Sequence, residues 1–169
     1  MDHCEIRVAV VGASGFIGSH LVDHLLGIGC KVTALSRTYP DQVSLGSKVS
    51  NNFSYVCADI TDKQSLIDSL VGVDVIVHSV SGTLPHTSNK YPDKDITINL
   101  QGSLNLMDAA IHNKVAKFVF ISSGGTVYGT PKYVPIDEAH PTNPICSYGI
   151  VKLAIEKYAY LYNQIYGLD

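Results

Sequence analysis

The sequence predicts a doubly wound α/β fold, in which a parallel sheet lies between two layers of helices. Two observations support this. Short apolar runs alternate with amphipathic segments along the chain, and the first apolar run leads directly into a glycine-rich turn. Alternating strands and helices form right-handed βαβ units, which make the strands parallel and cover both faces of the sheet. Ligands bind such sheets beyond the carboxyl ends of the strands, so functional residues are expected there.

The composition excludes several classes of protein. The 169 residues are 46% hydrophobic and 16% charged, an ordinary balance for one globular domain. A net charge of −3 without a basic cluster argues against nucleic-acid and membrane-surface partners. There is no apolar run of transmembrane length and no signal-peptide pattern, so a cytoplasmic protein is expected. The four cysteines show neither paired nor zinc-ligand spacing, so we expect reduced thiols and no metal site.

The first half of the chain predicts four strands and two helices. Ile6 to Val11 is a β-branched apolar run, typical of a buried parallel strand. The following helix places four apolar residues on one face: Ile17, Leu21, Leu25 and Ile28. Three more strands are predicted at 31–35, 53–58 and 73–80, with a short helix at 62–70 between the last two. Thr61 is the expected N-cap of that helix.

The second half predicts two long helices around one strand. Residues 81–94 are polar and rich in turn formers, so they form a loop. A helix is predicted at 95–113, and a strand at 117–122. Residues 129–146 contain four prolines and are expected to be irregular. A final helix spans 147–166.

The first motif is Gly12-x-x-Gly15-x-x-Gly18, between the first strand and the first helix. Glycines let the backbone turn tightly and approach a pyrophosphate, and a helix N-terminus presents N–H groups and partial positive charge to it. In this context the pattern predicts a dinucleotide site and the Rossmann fold.

The second motif pairs Tyr148 with Lys152, four residues apart on the final helix and therefore on one face. An ammonium group beside a phenol favours the phenolate. Lowering the pKa of a tyrosine from about 10 toward neutrality requires roughly 4 kcal/mol of differential stabilisation. The third motif is Ser122-Ser123-Gly124-Gly125 at the carboxyl end of the fifth strand. Hydroxyls at that edge face the ligand side, and the glycines leave room for a ring.

The three motifs together resemble the extended short-chain dehydrogenase/reductase family of NAD(P)-dependent sugar-nucleotide epimerases and dehydratases. Shorter family-like pieces occur in the expected order: "ADI" at 58–60, "VIVHSVS" at 75–81, "NLQGSLNLMDAA" at 99–110, "FVFISSGGTVYG" at 118–129 and "PTNPICSYGIVKLAIEKY" at 141–158. The last two are most similar to bacterial 4-epimerases acting on UDP-sugars for polysaccharide biosynthesis. The resemblance covers the chain and implies one NAD(P)-binding Rossmann domain across residues 1–169.

The resemblance also implies roles for individual residues. Tyr148 matches the catalytic base, and Lys152 matches the residue that lowers the pKa of that base and binds ribose. Ser123 is the expected hydroxyl that bridges the reacting hydroxyl of the substrate, with Ser122 and Thr126 as alternatives. Asp59 and Ile60 would flank the adenine, and Asn99 would lie beside the cofactor. The full set of implied cofactor-binding residues is Gly12, Ser14, Gly15, Phe16, Ile17, Gly18, Ser36, Arg37, Asp59, Ile60, Ser79, Val80, Ser81, Asn99, Ile121, Tyr148 and Lys152.

The implied activity is 4-epimerisation of a nucleotide sugar of the UDP-glucose or UDP-N-acetylglucosamine kind. Tyr148 would take a proton from the sugar hydroxyl while hydride passes to the nicotinamide, and return of hydride to the other face would invert the centre. Related dehydratases carry an Asp-Glu pair after the hydroxyl residue, where this chain has glycine and threonine. Elimination of water would therefore lack its acid and base.

Two departures from the family pattern leave alternatives open. Strand two ends in Ser36-Arg37, where NAD-preferring relatives place an acidic residue, and this pair favours NADP, whereas the epimerases mostly use NAD. The chain also ends at Asp169, without the family's last strands and carboxyl-terminal substrate domain, so a truncated product is expected. The alternatives are an NADP-dependent carbonyl reductase and a non-catalytic dinucleotide-binding fragment. The resemblance implies a homodimer for a full-length form. Four tyrosines of the last helix fit either its contact face or core that a truncated chain would expose: Tyr158, Tyr160, Tyr162 and Tyr166.

Overall fold

A five-stranded parallel sheet organises the chain, as predicted. The computed structural model describes residues 6–38 and 51–169. The strands are β1 Arg7–Val11, β2 Lys31–Ser36, β3 Phe53–Cys57, β4 Val75–His78 and β5 Lys117–Phe120. Their spatial order is β3-β2-β1-β4-β5, and every neighbouring pair is parallel. The order reverses between β1 and β4, so a crevice opens at the carboxyl ends of these two strands.

Helices cover both faces of the sheet. They are α1 Phe16–Gly27, α2 Lys63–Ser69, α3 Pro85–Ser88, α4 Pro92–Asp95, α5 Gly102–His112, α6 Gly124–Val127 and α7 Ser147–Tyr166. A π-helical segment, Ile96–Gln101, joins α4 to α5. No helix in the described ranges is long and apolar enough to span a membrane.

Two hydrophobic clusters lie on opposite faces of the sheet. Alternate residues of β1 point to each: Val8 and Val10 to the α1 side, and Ala9 and Val11 to the side of α2, α5 and α7. All four are nearly inaccessible to solvent. Strand β1 is therefore buried on both faces, which accounts for its uninterrupted apolar sequence.

The structure differs from the sequence predictions at several boundaries. Asp62, not Thr61, caps α2, because its carboxylate accepts a hydrogen bond from the Ser65 N–H at 3.1 Å. The Thr61 hydroxyl instead donates to Asp59. The predicted loop at 81–94 contains α3 and most of α4, each with a proline at its first turn. Strand β4 is shorter than the predicted range 73–80.

Helix α7 has the predicted bounds, but its tyrosines do not form one face. Tyr160 and Tyr166 are exposed. Tyr162 instead packs against the core and donates a hydrogen bond to Asp108 on α5, with 2.5 Å between the oxygens. Burial and this carboxylate raise the pKa of Tyr162. Tyr162 thus joins α7 to α5 within the molecule, as expected for a residue that belongs to the core.

Candidate active site

The glycine turn after β1 is defined by backbone geometry. Gly12 has a positive φ of 94°, and its N–H donates to the Leu35 carbonyl of β2 at 2.9 Å. A Cβ at Gly18 would lie 2.2 Å from the Gly12 carbonyl oxygen, so helix α1 can pack against the turn only through a glycine. No side chain caps the N-terminus of α1 at Gly15. Its first N–H groups therefore point toward any anion bound at the turn.

A cavity of about 390 Å³ opens beside this turn, at the carboxyl ends of β1, β2 and β4. Several predicted cofactor residues line it: Gly12, Ser14, Gly15, Ser36, Arg37, Ile60, Ser79, Val80 and Ser81. Sequence reasoning missed other lining residues: Val11, Leu35, Thr38, Ala58, Gly82 and Ile98. Their position at or just after strand ends is the signal that identifies most of them. Ile98 lies in the π-helical segment, which the sequence does not reveal.

The cavity wall at the end of β2 carries a serine and an arginine. Ser36 is nearly buried, and its Oγ accepts the Ser14 N–H at 2.9 Å, so the second strand holds the glycine turn. Arg37 is exposed beside it. The described lining residues include no carboxylate. Asp59 lies nearby, but its carboxylate is occupied by hydrogen bonds from Thr61, which together with the charge of Arg37 lower its pKa.

Other predicted cofactor residues lie outside the cavity lining. Phe16 and Ile17 are exposed on the first turn of α1, with Phe16 83% accessible. Gly18 lies beneath the turn, and the Ile121 carbonyl, just after β5, accepts a hydrogen bond from Lys152. Asn99 is buried and acts on the cavity indirectly. Its amide oxygen accepts the Gly82 N–H at 2.8 Å.

His78 lies behind the strand ends in a closed hydrogen-bond chain. Its Nδ1 accepts the Val80 N–H at 3.4 Å, and its Nε2 lies 2.8 Å from the Ser103 hydroxyl, which donates to the Asn99 carbonyl. This chain assigns the ring proton to Nε2. Burial, with a smaller effect of the Lys152 charge, lowers the pKa of His78 to about 3. His78 is therefore a neutral, buried structural residue.

Tyr148 and Lys152 share one face of α7, next to the end of β5. The Lys152 Nζ lies 5.7 Å from the centre of the Tyr148 ring and 4.5 Å from that of Phe120. It donates to the Ile121 carbonyl at 2.8 Å. Burial lowers the pKa of Lys152 to about 8, against the opposing charges of Asp95 and Glu156. A positive charge is thus held beside the phenol by the strand end itself.

The two serines after β5 have different surroundings. The Ser122 hydroxyl donates to the carboxylate of Glu156, one turn beyond Lys152 on α7. Ser123 begins the short helix α6, and its hydroxyl makes no capping bond there. The Thr126 hydroxyl bonds back to the Ser123 carbonyl at 3.3 Å. A Cβ at Gly124 or Gly125 would meet nothing closer than 4.0 Å, so open space adjoins Ser123.

Comparison with known proteins decides the family. The profile of the NAD dependent epimerase/dehydratase family matches residues 8–169. The chain belongs to this family. The glycine turn, the cavity and the parallel sheet thus belong to a member of an enzyme family whose cofactor is NAD.

The relatives include UDP-glucose 4-epimerases and a dTDP-glucose 4,6-dehydratase, all about twice as long as this chain. A putative UDP-glucose 4-epimerase from Methanocaldococcus jannaschii is 37% identical over 96% of this chain and 52% of its own length. The structure of a UDP-glucose 4-epimerase from Thermus thermophilus with NAD has 32% identity and a TM-score of 0.86, covering 96% of this chain and 52% of that one. The structure of the UDP-glucose 4-epimerase from Thermotoga maritima with UDP-glucose has 30% identity and a TM-score of 0.87, covering 96% of this chain and 53% of that one. This chain thus spans about half the length of these relatives.

Proposed function

We propose that this chain is the dinucleotide-binding and proton-transferring part of a nucleotide-sugar 4-epimerase. One observation carries the proposal: α7 holds Tyr148 and Lys152 together against Ile121, two residues before Ser123, at the same carboxyl edge of the sheet as the cavity. The relatives, which act on UDP-glucose by name, support a nucleotide sugar as the substrate class. Dimerisation is outside this proposal.

The described residues fit a dinucleotide. The uncapped first turn of α1 and the glycines before it suit a pyrophosphate, and Ile60 and Ala58 offer an apolar wall at the end of β3 for adenine. Lys152 has two N–H donors beyond its bond to Ile121, which suit the ribose hydroxyls. NAD, when bound, accepts a hydride from the sugar carbon and returns it.

The chain's own part of the chemistry is proton transfer. Tyr148 takes the proton from the sugar hydroxyl, with the ammonium of Lys152 5.7 Å from the centre of its ring. The Ser123 hydroxyl hydrogen-bonds the same sugar oxygen. We assign this role to Ser123 because the hydroxyl of Ser122 already donates to Glu156. Glycines at 124 and 125 leave space for the ring. Residues 124–127, between the serines and Tyr128, contain no carboxylate, which favours epimerisation over elimination.

A test follows the chemistry of this chain with NAD and UDP-glucose. We expect absorbance at the wavelength of reduced nicotinamide to rise, and proton NMR to show the C4 epimer accumulating. Tyr148→Phe is expected to abolish both signals, whereas Tyr160→Phe, an exposed tyrosine on the same helix, keeps them. Dinucleotide binding without reduced nicotinamide or epimer would contradict the proposed chemistry.

Arg37 favours a second candidate, an NADP-dependent carbonyl reductase. Arg37 lines the cavity beside Ser36, and its guanidinium could donate hydrogen bonds to a 2′-phosphate. The described lining residues include no carboxylate that would repel this phosphate. The two functions differ in redox balance. Net consumption of NADPH with a ketone supports the reductase, because epimerisation consumes no cofactor.

A further inference from the structure

The N-terminus of α7 is capped by side chains from a remote segment. Cys146, which precedes the helix, makes no capping bond. The Ser147 N–H donates instead to the Asn89 amide oxygen at 2.8 Å, and the Tyr148 N–H donates to the Ser88 hydroxyl at 3.0 Å. The backbone position of Tyr148 therefore depends on the segment that contains α3 and α4, about sixty residues earlier in the chain.

Asp95 lies at the centre of this arrangement. Its side chain is completely buried, and three donors surround its carboxylate: the Thr83 hydroxyl at 2.8 Å, the Asn99 amide at 2.5 Å and the Ser147 hydroxyl at 2.8 Å. A carboxylate only accepts hydrogen bonds, so it suits three donors in a way that no amide can. Burial of a charge is unfavourable unless its partners are held in place.

The three donors come from two parts of the site: two lie next to the cavity wall, and the third begins helix α7. Thr83 follows Gly82, which lines the cavity. The Asn99 amide oxygen accepts the Gly82 N–H. Ser147 precedes Tyr148 on α7. The Asp95 charge also acts on Lys152, whose pKa it raises against the effect of burial. One carboxylate thus joins the wall of the dinucleotide cavity to the helix that carries the tyrosine.

We propose that Asp95 is a positioning residue, which holds the start of α7, and with it Tyr148, in register with Gly82 in the wall of the cavity. The inference rests on the proposed function, because it takes Tyr148 as the base. It assigns to Asp95 no contact with substrate or cofactor. If this is so, a substitution at Thr83, on the cavity side of Asp95, should loosen the start of α7 at Ser147 and Tyr148, although no hydrogen bond joins Thr83 directly to either residue.

Thr83→Val tests this consequence, with Thr83→Ser as the matched variant that keeps the hydroxyl. Amide hydrogen exchange, followed by NMR without any ligand, reports the caps at Ser147 and Tyr148. We expect Thr83→Val to speed exchange there by about 10-fold or more, since a weakened hydrogen-bond network opens more often. Thr83→Ser should restore wild-type rates. Ser69→Ala, which removes a hydroxyl bond within α2, should leave these rates within about twofold.

Two results would overturn the proposal: unchanged exchange at Ser147 and Tyr148 in Thr83→Val, or equal acceleration in Ser69→Ala. Asp95→Asn provides a second variant and should speed exchange at both Gly82 and Tyr148. With NAD and UDP-glucose present, Thr83→Val should slow nicotinamide reduction about 10-fold while NAD affinity changes less than about threefold. If the wild-type chain reduces no nicotinamide, the proposed function fails, and the exchange rates still decide the role of Asp95.

Discussion

The glycine turn and the β5–α7 half of the site are ordered by different interactions. At the turn, backbone sterics dominate beside one side-chain bond from Ser14 to Ser36: Gly12 has a positive φ, and Gly18 leaves no room for a Cβ beside the Gly12 carbonyl. In the β5–α7 half, side chains from distant segments hold the functional groups, as Glu156 holds Ser122. Changes in the first half should therefore act through sterics, and changes in the second through lost hydrogen bonds and charge.

Gly18→Ala should have the largest effect. Its Cβ would lie 2.2 Å from the Gly12 carbonyl, so α1 must move away from the turn, at a cost of about 3 kcal/mol in the free energy of unfolding. We expect NAD affinity to fall by about 100-fold, since the pyrophosphate would lose its cradle. Thermal unfolding and calorimetry measure the two effects. The control is Gly27→Ala on the same helix, where a Cβ meets nothing within 4 Å. This substitution should raise the free energy of unfolding by about 0.5 kcal/mol.

Lys152→Met should change the pH dependence of stability. The ordinary pKa of 10.5 falls to about 8 in the fold, so between these values the unfolded chain binds more protons. The wild-type protein should therefore gain roughly 3 kcal/mol of stability as the pH rises through this interval, and Lys152→Met should not. Urea unfolding from pH 7 to 10 measures the difference, with exposed Lys157→Met as the control. Parallel curves for wild type and Lys152→Met would contradict burial of a charged Lys152.

The adjacent serines should separate stability from chemistry. Ser122→Ala should lower the free energy of unfolding by about 1 to 2 kcal/mol, because the Glu156 carboxylate loses its donor. Ser123→Ala should change stability by less than about 0.5 kcal/mol but slow nicotinamide reduction about 100-fold. Urea unfolding and stopped-flow absorbance measure the two. The reverse outcome would assign the substrate contact to Ser122.

Arg37→Ala should have the smallest effect, confined to cofactor choice. Loss of a charge-assisted hydrogen bond should weaken NADP binding about 10-fold and leave NAD binding within about twofold. Arg37→Lys keeps the charge and should give an intermediate NADP affinity. Equal losses for NAD and NADP would show that Arg37 does not contact a 2′-phosphate.

The difference between the halves also explains what the sequence predicted. The sheet, the bounds of α7 and the glycine turn follow from local patterns, since periodicity and glycine spacing are visible along the chain. The bonds from Ser36 to Ser14, from Glu156 to Ser122 and from Asp95 to Ser147 join remote residues, and nothing local indicates such partners. The α2 cap was misplaced by one residue, since threonine and aspartate are both good caps and only geometry chooses between them.

Chemical-shift mapping of the labelled chain with NAD tests the central claim most directly. The account predicts saturable shifts of the backbone amides at Gly12 to Gly15 and at Ser79 to Gly82, with smaller shifts on the opposite sheet edge. Saturable shifts at the glycine turn would place the dinucleotide on the first N–H groups of α1. The absence of shifts there at saturating NAD and NADP, with the fold intact, would contradict the account.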